Sequence, residues 1–142
     1  MAKLTPDKLK EFIKNTAEEY KKDVEWDETK AIPTSMSIAS KTAKYINIWQ
    51  NMKTLLITQI EPEYNKLYNV RLHFYKESDI KYTSSEIKDI LIRDESLSEL
   101  RQTRELLLSF LEMLEKCVKN IEGIRYDLRV YIDYMKMMNG CV

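Results

Sequence analysis

The sequence predicts an all-α protein, an elongated helical bundle or hairpin with one long C-terminal heptad helix. Three observations predict it. Apolar residues recur at three- and four-residue steps through most of the chain. Two glycines and three prolines in 142 residues are too few for a turn-rich β protein. From Leu97 an alternating 3,4 ladder reads Leu97, Leu100, Arg104, Leu107, Leu111, Leu114, Val118, Ile121, Arg125, Leu128, Ile132, Met135, Asn139, apolar at ten of its thirteen positions.

The elements follow in order within one domain, 1–142. Residues 1–28 form an N-terminal helix and connector: Thr5-Pro6 caps and opens the helix, Leu9, Phe12, Ile13, Ala17 and Tyr20 carry it to about Lys22, and Val24 to Asp27 reads as extended. Residues 29–76 form a basic helical segment. A helix opening at Pro33 to Ser35 keeps Ile38, Tyr45, Trp49, Met52, Leu56 and Ile60 on one face. Pro62 either kinks this helix or starts a new one, and Tyr64 to Tyr75 continue at helical spacing to about Lys76. Residues 77–94 hold a polar loop and a short helix to Arg93, opened by the capping box Thr83-Ser84-Ser85-Glu86. Residues 95–140 form the long helix. The ladder keeps its phase through Gly123, so one helix is expected, weakened or bent there, with Gly140 suited to its C-terminal cap.

Some 43 residues at ~1.5 Å each span roughly 65 Å. A compact globule of this length is about 37 Å across. The helix must overshoot its own domain, and a second stripe on it (Leu106, Phe110, Met113, Cys117, Ile124, Tyr131) also needs covering. Earlier helices, sister subunits or both must lie along it. The expectation is self-association through Leu107, Leu111, Leu114, Val118, Ile121, Leu128 and Ile132.

Charge supplies the functional signal. The net charge is zero, but Thr29 to Ile60 holds no acidic side chain, where about five are expected at the chain's average density. Residues 29–76 carry seven cations against Glu61 and Glu63, flanked by acidic segments of net −2 and −3. Such segregation steers association with an anionic partner. On the helix through residues 35–60, Ser40, Lys44, Asn47, Asn51, Thr54 and Thr58 share the polar face, with Lys41 and Lys53 flanking the apolar stripe. That geometry favours core or interface roles for Tyr45 and Trp49 over base stacking. From Tyr64 to Lys76, Lys66, Arg71 and Lys76 interleave with Tyr64, Tyr68, Phe74 and Tyr75. Two readings stand for this stretch: a single-strand platform of stacking rings and phosphate-binding cations, or a helix that buries its aromatics and solvates its cations. The expected DNA contacts are Lys41, Lys44, Lys53, Lys66 and Arg71, then Asn47, Asn51, Tyr68 and Tyr75.

Catalysis finds no support. His73, the lone histidine, has no triad partner or metal spacing, and no glycine-rich phosphate loop is present. Cys117 and Cys141 match no metal spacing and make no disulfide framework. No cofactor is expected. The absence of a membrane-length apolar run and of a signal-peptide core leads to the expectation of a cytoplasmic, reduced protein.

Residues 18–30, EEYKKDVEWDETK, resemble the N-terminal signature of the UvsY family of tailed-bacteriophage recombination mediators, which has a similar Glu-Glu-x-Lys-Lys-Asp-Val run followed by Asp-x-Thr-Lys. Lys44-Tyr45-Ile46-Asn47 resembles its Lys-Trp-Leu-Asn segment, and Val70 to Tyr75 is similar to its Lys-Ala-Arg-Leu-Asp-Tyr-Tyr stretch, implicated in DNA binding. Asn69 stands where that motif has lysine, and Lys76-Glu77-Ser78-Asp79 replaces a glycine-rich turn. The resemblance implies a non-enzymatic, ring-shaped homo-oligomer that binds single-stranded DNA. It would load a phage RecA-like recombinase onto DNA coated by single-strand-binding protein, in the host cytoplasm. Two other readings remain: a coiled-coil adaptor without nucleic-acid affinity, and a membrane-surface helix at 29–60, for which four lysines are few.

Overall fold

Thr5 opens the first helix by accepting the Lys8 N–H on its hydroxyl at 3.3 Å. A computed structural model describes residues 4–25 and 34–140 of the chain. Helix α1 spans Pro6–Val24, two residues beyond the expected end. Glu25 is extended, and the rest of the expected connector, with Lys30 and Pro33, lies outside the described residues. Helix α2, Ser35–Leu55, is capped by Thr34, whose hydroxyl accepts from the Ser37 N–H at 3.0 Å.

Pro62 sits in the first turn of a new helical element that follows α2 without a non-helical gap. Proline lacks an N–H and its ring crowds the carbonyl four residues back. The backbone answers with one wider π turn, Leu56–Ile60, in which the Glu61 N–H donates to the Leu56 carbonyl five residues earlier. Leu56 and Ile60 both stay buried, and helix α3 continues as Glu61–Lys76.

Helix α4, Ser84–Arg93, has the predicted Thr83 cap on the Glu86 N–H at 3.1 Å. Helix α5 is Glu95–Met138, 44 residues or about 66 Å. Asp94 sets its start by accepting the Leu97 N–H at 3.0 Å. The helix passes through Gly123 unbroken, and Gly140 turns the chain at φ +69°.

The rod from α2 to α3 runs antiparallel to α5. Ile38 lies across a cleft from Leu128, Trp49 Nε1 donates to Glu115 at 3.2 Å, the Arg104 guanidinium sits 4.7 Å over the Tyr64 ring, and Arg71 meets Asp94. Helix α1 lies beside this hairpin, parallel to α5. Phe12 meets Phe110 edge-on at 5.7 Å, and Asn120 donates to the Tyr20 hydroxyl at 3.1 Å. The main core joins Leu9, Ile38, Tyr45, Leu56 and Ile60 to Leu107, Phe110, Leu111, Leu114, Ile121 and Leu128. A second cluster, Ile87, Leu91 and Leu97, is roofed by tyrosines and leucines of α3.

This packing corrects the expectation for the heptad seam. Leu107, Leu111, Leu114, Ile121 and Leu128 are buried, and Val118 half-buried, against α1 and α2 of the same chain. They cannot also form a seam between subunits without opening the bundle. The reason is length: α2 and α1 together reach along α5 as far as Leu128. Of the expected oligomerisation residues Ile132 alone is exposed, at 43%. Beyond Leu128, α5 carries Val130, Tyr134, Met135, Met137 and Met138 exposed around its circumference.

Candidate nucleic-acid interface

The basic segment meets carboxylates from α1. Tyr45 is fully buried, and its hydroxyl donates to Asp23 Oδ2 at 2.7 Å. The same oxygen accepts from Lys44 Nζ at 3.0 Å, and Lys44 also pairs with Glu19. Lys41 Nζ donates to the Asp23 backbone carbonyl at 2.8 Å. Tyr20 completes the group, edge-on to Tyr45 at 5.7 Å. Burial alone would raise the Asp23 carboxyl. Hydrogen bonds from Tyr45 and Lys44 and the charges of Lys44 and Lys41 outweigh burial and hold it below the ordinary carboxylate value. Lys44 is likewise held above its usual range: burial works against the charge, and Glu19 and Asp23 more than restore it. The Tyr45 hydroxyl is pushed far up, first by burial and then by Asp23.

This cluster explains two of the sequence blocks. Glu19 and Asp23 belong to one, Lys44 and Tyr45 to the other, and they form one clamp that fastens α1 to α2. Lys41 and Lys44 therefore do not face outward as free cations, which corrects that expectation. An amphipathic helix wheel puts Lys44 on the polar face and Lys41 beside the apolar stripe, but cannot reveal another helix lying there with two acids.

The remaining predicted contacts divide by surroundings. Asn47 and Asn51 are exposed on α2, Lys66 is exposed on α3, and Lys53 is half-buried. Neither Lys53 nor Lys66 has an ion pair among the described residues. Arg71 has its Nε 3.2 Å from Asp94 Oδ2, close enough for an ion pair but too far off line for a hydrogen bond. Its charge is thus tied to the carboxylate that caps α5. Tyr68 stacks on Tyr64 at 6.0 Å, and Tyr75 sits between Phe74 at 5.2 Å and Tyr82 at 5.6 Å. Both tyrosines pack against the second core cluster. That packing gives both rings a structural role, and each is half-buried rather than open. The open aromatic is Phe74, 67% exposed beside Val70 at 56%. These two line a shallow depression with His73, Glu77, Ser78 and Asp79. Its position at the edge of the apolar arc of α3 was the available signal for Phe74.

Sequence reasoning also missed a second basic surface. Arg125, Arg129 and Lys136 line a cleft of about 350 Å³ at the end of α5, beside Ile38 of α2. Arg125 lies on the heptad ladder, where it was read only as an interruption of the seam.

Among the described residues no group of three or more His, Cys, Asp or Glu is placed to hold a metal ion, and no helix is long and apolar enough to cross a membrane. Cys117 is a buried free thiol whose pKa burial pushes up, which makes it a poor nucleophile.

Comparison with known proteins connects this geometry to a family. Residues 19–141 match the sequence profile of the family described as recombination, repair and ssDNA binding protein UvsY. The fold superposes on the crystal structure of the bacteriophage T4 recombination mediator protein UvsY with a TM-score of 0.76, at 20% identity, covering 89% of this chain and 98% of that one. Curated protein sequences give no match. At that identity the superposition establishes a shared fold, and the profile match, which spans both halves of the clamp and all of α5, establishes descent: the chain belongs to the UvsY family.

Proposed function

We infer that this chain is a single-stranded DNA-binding recombination mediator, which works in several copies to load a RecA-like recombinase onto DNA held by single-strand-binding protein. The observation that carries this is the family match over residues 19–141. Geometry supports it in two ways. With Lys44 and Arg71 paired to acids of the same chain and Lys41 held by the Asp23 backbone carbonyl, Lys53 and Lys66 remain for phosphate, with Asn47 and Asn51 offering neutral hydrogen bonds. A strand crossing one subunit would meet few cations, and few phosphate contacts give weak, salt-sensitive binding.

Several copies remove that weakness, because linked sites on one strand raise avidity by orders of magnitude. The end of α5 suits assembly. Tyr126 is 67% exposed and Met135 39% exposed, in a helix that is apolar on nearly every side past Leu128. A head-to-tail contact through this end closes into a ring if its rotation permits, as the resemblance implies. Binding is non-enzymatic on this reading: it bends or displaces the coating protein and presents bare strand to the recombinase. The adaptor reading is weaker, since it gives no reason for the acid-free window or the family match.

The test is a salt titration of oligo-dT binding beside a duplex of equal length. Preferential single-strand binding that falls steeply with salt is expected, with a slope of about −0.7 for each phosphate neutralised. No binding, or binding indifferent to salt, contradicts the reading. Lys53→Ala with Lys66→Ala weakens affinity without changing the mass measured by light scattering.

A further inference from the structure

The ladder that packs the core changes chemistry as α5 leaves it. At ~100° per residue, Arg125, Arg129, Ile132 and Lys136 fall within an arc of about 60°, centred on the same face as Leu107 and Leu114. Upstream this face is covered by α1 and α2. From Leu128 onward nothing described covers it, and Arg129 and Lys136, with Arg125 just before Leu128, surround Ile132.

The cleft they line has an apolar floor of Ile38, Leu128 and Ile132 and a single acid, Asp133. Arg125, Arg129 and Lys136 are exposed and make no ion pair among the described residues. The first turn of α2, which contributes Ile38, holds no acidic residue beside its positive helix end. A cationic rim of net +2 over an apolar floor suits a ligand with repeated negative charges and flat apolar faces. The volume, near the low end of small-ligand pockets, suits about one nucleotide, with its neighbours along the open rim. It is too small for a helix of another protein to lie in fully.

We propose that this cleft is a second contact for single-stranded DNA, with phosphates on Arg125, Arg129 and Lys136 and a base against Ile38 and Ile132. The three cations are about 6 and 10.5 Å apart along the helix axis at ~1.5 Å per residue, so they meet separate phosphates of one strand. The contact lies at the opposite end of the α2–α3 rod from Lys66, some 25 or more residues from it in sequence. One subunit then holds a strand at two places. The inference rests on the single-strand reading above.

Its test compares the full chain with the triple variant Arg125→Gln, Arg129→Gln, Lys136→Gln. A second triple, Lys8→Gln, Lys10→Gln, Lys14→Gln, removes equal charge from exposed positions at the far end of α1. Oligo-dT affinity is read against salt, and mass by light scattering. Loss of three phosphate contacts makes the slope shallower by about 2 per subunit and lowers affinity about 100-fold at 0.1 M salt. The α1 triple stays near the parent, and Arg125→Lys with Arg129→Lys keeps most of the binding. Unchanged slope in the cleft triple overturns the proposal, as does an equal loss in the α1 triple, which would mark a general charge effect. A change in mass also overturns it, making the cleft a contact between copies. If the parent itself ignores oligo-dT, the functional reading fails first and is distinguished from failure of the cleft alone.

Discussion

Leu114→Ala lowers the free energy of unfolding by about 3–5 kcal/mol, the usual cost of emptying a fully buried leucine site, and the loss is the same at every protein concentration. Leu114 is 0% exposed and lies in a core closed by α1 and α2 of its own chain. If the heptad seam joined subunits, the same substitution would act through association, and its effect on the midpoint would vary with concentration. The contrast is Met135→Asp with Met138→Asp, both exposed and outside the basic cleft. Those residues lie past the bundle, so the variant keeps its helix content and unfolding midpoint as a monomer while losing assembly. Urea unfolding of both variants across a hundredfold range of concentration checks the pair of outcomes. A concentration-dependent effect at Leu114 would return the seam to the subunit interface.

Asp23→Asn is the second large effect, about 2–3 kcal/mol at neutral pH. It removes the charged acceptor shared by Tyr45 and Lys44, and hydrogen bonds to charged groups contribute roughly 1.5–3 kcal/mol. The sign of the pH dependence follows from the carboxyl being held below its unfolded value of ~3.9. Its contribution is fully present above about pH 4 and is lost as pH falls through the folded-state value. Urea midpoints of the parent and Asp23→Asn should therefore differ most near neutrality and converge on acidification towards pH 3. A gap that stays constant or widens with acid would mean that Asp23 is not the anchor of the clamp. Helix α1 is the element released, so loss of the Tyr20–Tyr45 contact should be visible in the aromatic signal.

The fold was legible wherever its causes are local. Thr5, Thr34 and Thr83 act as caps because a hydroxyl three residues before an N–H is a local geometry. The start of α5 at Asp94 is equally local, yet its aspartate cap was overshadowed by the leucine ladder. Pro62 was ambiguous in sequence because the cost of proline in a helix can be met by a kink, a break or a π turn. Burial of both Leu56 and Ile60 goes with the last.

What the sequence could not display is which surfaces meet. The ladder of Leu107 to Leu128 has the same period whether its partner is another subunit or another helix of the chain. The acid-free window suggested free lysines, but Glu19 and Asp23 sit some twenty residues upstream and reach them only through the fold. Likewise Tyr68 and Tyr75 look like stacking rings in a basic helix, and only the placement of α4 makes them part of a core. Two of the signature blocks supply the residues of the clamp. The basic cleft around Arg129 carried no motif at all.

The mediator role is tested most directly by timing recombinase assembly on single-stranded DNA already coated with single-strand-binding protein. Substoichiometric addition of this chain should shorten the lag before the RecA-like recombinase begins DNA-dependent ATP hydrolysis, with no effect on bare strand. An unchanged or lengthened lag, from protein that binds oligo-dT normally, would contradict the account.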